Sequence, residues 1–108
     1  MNSPVQLLAT KIRQVFPDRD PVEVQRVLDG YAGQERARVQ LAIVKLCDED
    51  GVDKLRHYVD TACQDYRDVL AWAEYPQQMR PDWFSLSVTE RAKVVKADRQ
   101  QHARWLAR

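Results

Sequence analysis

The sequence is poor in glycine, histidine and cysteine, and these shortages exclude several kinds of site. Its 108 residues include three Gly, two His and two Cys. Three glycines are too few for a glycine-rich phosphate-binding loop. The His and Cys residues show neither the Cys-x-x-Cys nor the Glu-x-x-His spacing that builds a zinc or di-iron centre. The sequence therefore predicts neither a metal site nor a cofactor.

Long apolar runs are also missing. The longest, Leu41–Val44, is far shorter than the ~20 residues that span a bilayer. The first residues, Met1–Pro4, contain neither the basic nor the apolar part of a secretory leader. We therefore expect a cytoplasmic protein with no membrane partner.

The charge is nearly balanced, at +1, so it supplies no long-range attraction toward nucleic acid. Basic residues are nevertheless concentrated after residue 88. Lys93, Lys96 and Arg99 form an alternative basic face, and nucleic-acid binding through it is our second hypothesis. We favour the simpler interpretation, which is a solvated helix face.

Local patterns predict an all-α fold, a single compact five-helix domain over residues 1–108. Ser3-Pro4 and Asp20-Pro21 each combine an N-cap residue with a proline at the first helical position, so they begin helices 1 and 2. Helix 3 is apolar on nearly all sides, which is typical of a buried helix. These helices form a predicted three-helix bundle over residues 3–47.

The longest helical pattern covers residues 52–75 and predicts an uninterrupted central helix 4. Its apolar residues recur in steps of three and four along one face. Pro76 ends this helix, and an irregular connection follows. Ser87 and Glu90 form a capping-box pattern that begins helix 5, over residues 88–106.

The two cysteines are predicted to be reduced thiols. If Gly51 joins helices 3 and 4 as a hairpin, Cys63 lies on the order of 13 Å beyond the level of Cys47. This separation exceeds the ~7 Å between Cα atoms that a disulfide allows. We expect both cysteines to act as small buried apolar groups.

No set of residues indicates catalysis. Nucleophilic catalysis needs a hydroxyl or thiol beside a base, and Ser85 and Ser87 are better explained as turn and cap residues. Asp53 and His57 are four residues apart on helix 4, a spacing more typical of an exposed ion pair. We therefore expect a protein that is not an enzyme.

Aromatic residues near the end of helix 4 are the best candidates for recognition. The candidate interaction surface combines the residue types enriched in binding hot spots, namely Trp72, Tyr75, Arg80, Trp83 and Phe84. The alternative is that these side chains fill the corner between Pro76 and Trp83. Our first hypothesis is a small helical protein that binds a protein partner or a second copy of itself.

Two motifs in the first three helices carry a resemblance. Val15-Phe16-Pro17 and Ala42-Ile43-Val44-Lys45-Leu46-Cys47 stand where CUE domains have Met-Phe-Pro and Ala-Ile-x-x-Leu-Leu. Residues 5–47 thus resemble the ubiquitin-associated-like fold, with Val15 and Cys47 differing from the pattern. The resemblance implies a third hypothesis, recognition of a ubiquitin-like protein by the Phe16-Pro17 corner and Leu46. The stretch from Asp65 to Pro76 is similar to small bacterial helical proteins, a likeness that implies no activity.

Overall fold

In the computed structural model, which describes residues 3–108, the chain forms five α-helices and three short 3₁₀ turns, with no β-strand in that range. The helices are α1 (Pro4–Val15), α2 (Pro21–Leu28), α3 (Arg36–Asp50), α4 (Leu55–Glu74) and α5 (Val88–Ala107); the 3₁₀ turns are Val52–Lys54, Pro76–Met79 and Trp83–Ser85. The predicted all-α, five-helix fold is confirmed. Met1 and Asn2, the start of the predicted domain, lie outside the described residues. None of the described helices is long and apolar enough to cross a membrane.

Side-chain caps begin three of the helices at the predicted positions. The Ser3 hydroxyl accepts a hydrogen bond from the Gln6 amide at 3.2 Å, and the Gln6 side chain accepts one from the Ser3 amide. Asp20 accepts from the Val22 amide at 2.9 Å, and Ser87 accepts from the Glu90 amide at 3.1 Å. Local sequence therefore sets where these helices begin.

The core is centred on α3, which packs against α1 and α4. Val39, Ile43 and Val44 have no solvent exposure, so the predicted burial of this helix is confirmed. Gly51 ends α3 with a φ of +124°, where a Cβ would lie 2.7 Å from a carboxylate oxygen of Asp53. A glycine is favoured at this turn because other residues are strained at positive φ.

α4 is broken at Asp65, so the predicted uninterrupted helix over residues 52–75 is wrong at this point. Asp65 has extended backbone angles (φ −156°, ψ 102°). Its carboxylate accepts a hydrogen bond from the Arg67 amide at 3.0 Å, which is an N-cap contact for a new helix. In a straight helix the Cα atoms of Tyr58 and Trp72 would be about 21 Å apart. Their ring centroids are only 6.4 Å apart, so the two halves of α4 bend toward each other.

Candidate functional site

The structure does not bring the predicted aromatic residues together into one surface. Trp72 lies on the second half of α4, where its ring contacts Tyr58 edge-on and 39% of its surface stays exposed. Tyr75 is half-buried and lines a different region, a groove of about 460 Å³ between the end of α4 and α5. Trp83 and Phe84 share a 3₁₀ turn. Arg80 precedes this turn, and its backbone carbonyl accepts a hydrogen bond from the Trp83 amide at 3.2 Å.

Arg91, which was not among the predicted site residues, holds this turn. Its guanidinium donates hydrogen bonds to the backbone carbonyls of Trp83 (3.0 Å) and Phe84 (2.9 Å). The same group lies 5.7 and 5.8 Å from the centroids of the two aromatic rings. Arg80, the arginine of the predicted interaction surface, forms an ion pair with Asp82 instead. The sequence signal that could have indicated this role is the position of Arg91 on the first turn of α5, shortly after the aromatic segment.

Large apolar side chains on either side of this turn are exposed. Phe84 is 86% exposed, Val88 82% and Met79 53%, while Trp83 is half-buried. We call these four residues the aromatic corner. Val88 is exposed because the segment of α5 that buries side chains lies further along, at Asp98 and Trp105.

A buried carboxylate attaches the turn that carries Met79 of the corner to α5. Asp98 is only 1% exposed and accepts hydrogen bonds from the backbone amides of Gln77 and Gln78, each at 3.2 Å. The Gln78 side chain donates a third hydrogen bond to the same carboxylate. Because these amides lie in the turn Pro76–Met79, Asp98 acts as its cap from another helix.

Lys45 is buried where α3, α4 and α5 meet. Its ammonium donates to the carbonyl of Ala73, to the side-chain oxygen of Gln101 (2.8 Å) and to Nδ1 of His102 (3.2 Å). Burial lowers the pKa of Lys45, and nearby carboxylates, that of Glu49 first, oppose this effect. The contact with Ala73 satisfies a carbonyl in the last turn of α4.

Lys11 likewise donates hydrogen bonds to backbone carbonyls, in this case those at the end of α5. It has no solvent exposure and donates to the carbonyls of Trp105 and Arg108, the latter at 3.0 Å. Its ammonium also lies 4.7 Å from the centroid of the Trp105 ring, whose N–H donates to Asp48 at 2.9 Å. Burial lowers the pKa of Lys11, and the charge of Arg108 lowers it further.

Gln40 completes this set of buried polar side chains at helix ends. It donates to the carbonyls of Leu28 (2.9 Å) and Tyr31 (3.1 Å), at the end of α2. The last carbonyls of a helix lack partners within it. Gln40, Lys45 and Lys11 supply those partners to α2, α4 and α5 from other helices. Sequence reasoning missed all three, since a polar residue on a helix looks the same whether it faces water or a distant carbonyl.

The alternative basic face is exposed on α5 at Lys93, Lys96 and Arg99. Arg99 also lines the groove that contains Tyr75 and His102. Among the described residues, Asp53 and His57 do not form an ion pair, and His, Cys, Asp and Glu nowhere gather in a group of three or more that could hold a metal ion.

The two cysteines are both free, but they differ in burial. Cys47 is 1% exposed, and burial raises the pKa of its thiol to about 12. Cys63 is exposed, so its predicted role as a buried apolar group is wrong. Its neighbour Ala62 takes the buried position at this level of α4.

The residues that carry the CUE resemblance lie mostly in the core. Phe16, Leu46 and Cys47 are at most 3% exposed, while Pro17 is exposed. Phe16 and Leu46 would have to leave the core to contact a partner.

Comparison with models of known protein families, with curated proteins and with solved structures finds no match to this chain.

Proposed function

We propose that this protein is a non-enzymatic interaction module that contacts a protein partner through the aromatic corner. The observation that carries the proposal is Phe84, which is 86% exposed on a turn whose backbone is held in place. Contiguous exposed apolar surface marks interaction sites in soluble proteins, and Phe84 lies next to the half-buried Trp83 on the same turn. Trp, Phe, Met and Arg are also the residue types enriched in interfaces, and the corner with Arg91 contains all four.

The attachments of the corner support the same function. Arg91 fixes the turn that carries Trp83 and Phe84, and Asp98 fixes the turn that carries Met79. A surface that is ordered before binding loses less conformational entropy when a partner binds. The corner can therefore offer Phe84 to a partner at a low entropic cost.

The proposal is tested with single substitutions in the full chain. Phe84→Ala and Met79→Ala remove exposed apolar groups of the corner. Val22→Ala is the matched control, because Val22 is also a largely exposed apolar residue (64%) but lies on α2. Self-association is measured by sedimentation over a range of concentrations, and partners are recovered by pull-down with the purified protein.

We expect Phe84→Ala to weaken the recovered interaction by about tenfold or more, as interface hot spots do. Val22→Ala should leave the interaction unchanged. Equal binding by wild type, Phe84→Ala and Met79→Ala would refute a contact at the corner. Trp72→Ala distinguishes the corner from α4. If Trp72→Ala still binds the partner and Phe84→Ala does not, the contact lies at the corner and not on α4.

A further inference from the structure

His102 is held in a single protonation state by its neighbour Lys45. An ammonium group has three protons and no acceptor. Lys45 directs its protons at the Ala73 carbonyl, the Gln101 side-chain oxygen and Nδ1 of His102, which lies 3.2 Å away. With a charged Lys45, this contact needs a lone pair on Nδ1, which corresponds to a neutral imidazole with its proton on Nε2.

The surroundings of His102 contain more positive than negative charge. Lys45 and Arg38 face it from α3, and Glu74 faces it from the end of α4, with Oε2 4.0 Å from Nε2. Glu74 is engaged by the Arg38 guanidinium, whose Nε lies 2.9 Å from the same Oε2. The other titratable or charged groups around the ring, which line the two grooves that His102 borders, are Glu35, Arg36, Tyr75 and Arg99.

We propose that His102 is an acid-sensitive latch, and that protonation of its imidazole releases α5 from α3 and α4. A proton on Nδ1 would place a second donor against the Lys45 ammonium and leave one of its protons without an acceptor. It would also place two positive charges side by side where the His102 side chain is only 18% exposed. Lys45 is anchored within α3 and has no exposure, so relief requires His102, and α5 with it, to move away.

The direction of the pH effect follows from the same contacts. Burial lowers the pKa of His102 below its ordinary value of 6.5, and the charge of Lys45 lowers it further. The released helix therefore binds a proton more tightly than the docked helix does. The packing of α5 on α3 and α4 therefore weakens as the pH falls below about 6.5. For each unit by which packing lowers the pKa of His102, the equilibrium constant between packed and released α5 falls by at most roughly tenfold.

Trp105 reports on the latch because it is buried on α5 beside His102, with ring centroids 6.4 Å apart. In a Trp72→Phe, Trp83→Phe background, Trp105 is the remaining tryptophan. We expect its emission to shift to the red between pH 6.5 and 4.5 as α5 leaves the core. Amide hydrogen exchange along α5, corrected for the intrinsic effect of pH, should accelerate by roughly tenfold or more over the same range.

Two variants separate the latch from general acid unfolding. In His102→Asn, the amide oxygen replaces Nδ1 as acceptor and takes no proton in this range, so the red shift and the faster exchange should both disappear. His57→Asn removes the other, exposed histidine and should retain both effects. An acid response in His102→Asn equal to that of the parent would overturn the proposal, as would no response in the parent.

A third measurement does not depend on the folding of the Asn variant. Titration of the His102 ring by NMR in the unaltered protein should give a pKa below 6.5. A value at or above 6.5 would show that the docked site accepts the proton, and the latch would be refuted.

Discussion

The rings of Tyr58 and Trp72 contact each other edge-on at 6.4 Å, although they lie in opposite halves of α4. The bend at Asp65 makes this contact possible. The Tyr58 hydroxyl donates to Asp50, the last residue of α3, so the pair also joins α4 to the core. The buried edge of Trp72 is therefore structural, and only its outer edge is available to a partner.

The bend should depend on the cap that Asp65 provides. In Asp65→Ala the Arg67 amide loses its side-chain acceptor, and alanine favours a continuous helix over an extended residue. We expect the free energy of unfolding, measured by urea denaturation, to fall. Asp65→Asn keeps a side-chain acceptor and should lose less. Equal stability of Asp65→Ala and the wild type would show that the cap does not hold the bend.

Lys11 should stabilise the protein although it is a buried charge. Lys11→Met keeps an apolar stem but removes the charged donor to the carbonyls of Trp105 and Arg108, which then keep only the Arg108 amide and the Gln14 side chain as donors. We expect unfolding to become easier by about 1–3 kcal/mol. The control is Lys93→Met, at an exposed position on α5, which should change stability by no more than about 0.5 kcal/mol. A similar effect of both substitutions would contradict this role.

Asp98 should protect two particular amides in the turn before the aromatic corner. Asp98→Ala leaves the Gln77 and Gln78 amides without their carboxylate acceptor. We expect their hydrogen exchange to accelerate, together with a loss of about 1–3 kcal/mol in stability. In Asp68→Ala, at an exposed acidic residue of α4, both amides should exchange at the wild-type rate. Unchanged protection of Gln77 and Gln78 in Asp98→Ala would rule out this attachment.

The two thiols should react at very different rates. A thiol reagent at pH 8 should modify Cys63 in the folded protein, because Cys63 is exposed. Cys47 should react only after unfolding, since it is buried and its pKa is raised to about 12. The folded Cys63→Ser variant should therefore show no rapid reaction. Rapid modification of that variant would mean that the core around Cys47 opens readily.

Cys47 should also make the free energy of unfolding decrease as the pH rises into the alkaline range. Its thiol ionises near 9.0 in the unfolded chain and near 12 in the folded protein. Above pH 9 the folded state retains a proton that the unfolded state has lost, so the stability contributed by Cys47 falls as the pH rises. The difference in unfolding free energy between the wild type and Cys47→Ala should narrow by about 1.4 kcal/mol per pH unit. A constant difference from pH 8 to 10.5 would contradict the raised pKa.

The beginnings of the helices could be predicted because their signals are local. Ser3, Asp20 and Ser87 each accept a hydrogen bond from an amide two or three residues later, so a short window of sequence contains both partners. The break at Asp65 also has a local signal, since an aspartate can cap a new helix as well as continue an old one. Apolar periodicity continues on both sides of Asp65, which concealed the break.

The candidate site was predictable only in part. Phe84 and Trp83 were selected by residue type, and the structure places them on one turn. Trp72 and Tyr75 were grouped with them by sequence distance, yet Trp72 packs against Tyr58 on α4 and Tyr75 lines the groove beside α5. Proximity along the chain was a poor guide here because the chain changes direction between these residues.

The sequence by itself determined that this protein is helical, where three of its helices begin and most of the side chains that fill the core, because caps and apolar periodicity act over a few residues. The tertiary structure alone decided which polar side chains are buried. Lys11, Lys45 and Asp98 each bind backbone groups more than a dozen residues away, and no local pattern records such a partner. A buried polar group is stable only when another element completes its hydrogen bonds, so its role exists only once the helices have packed.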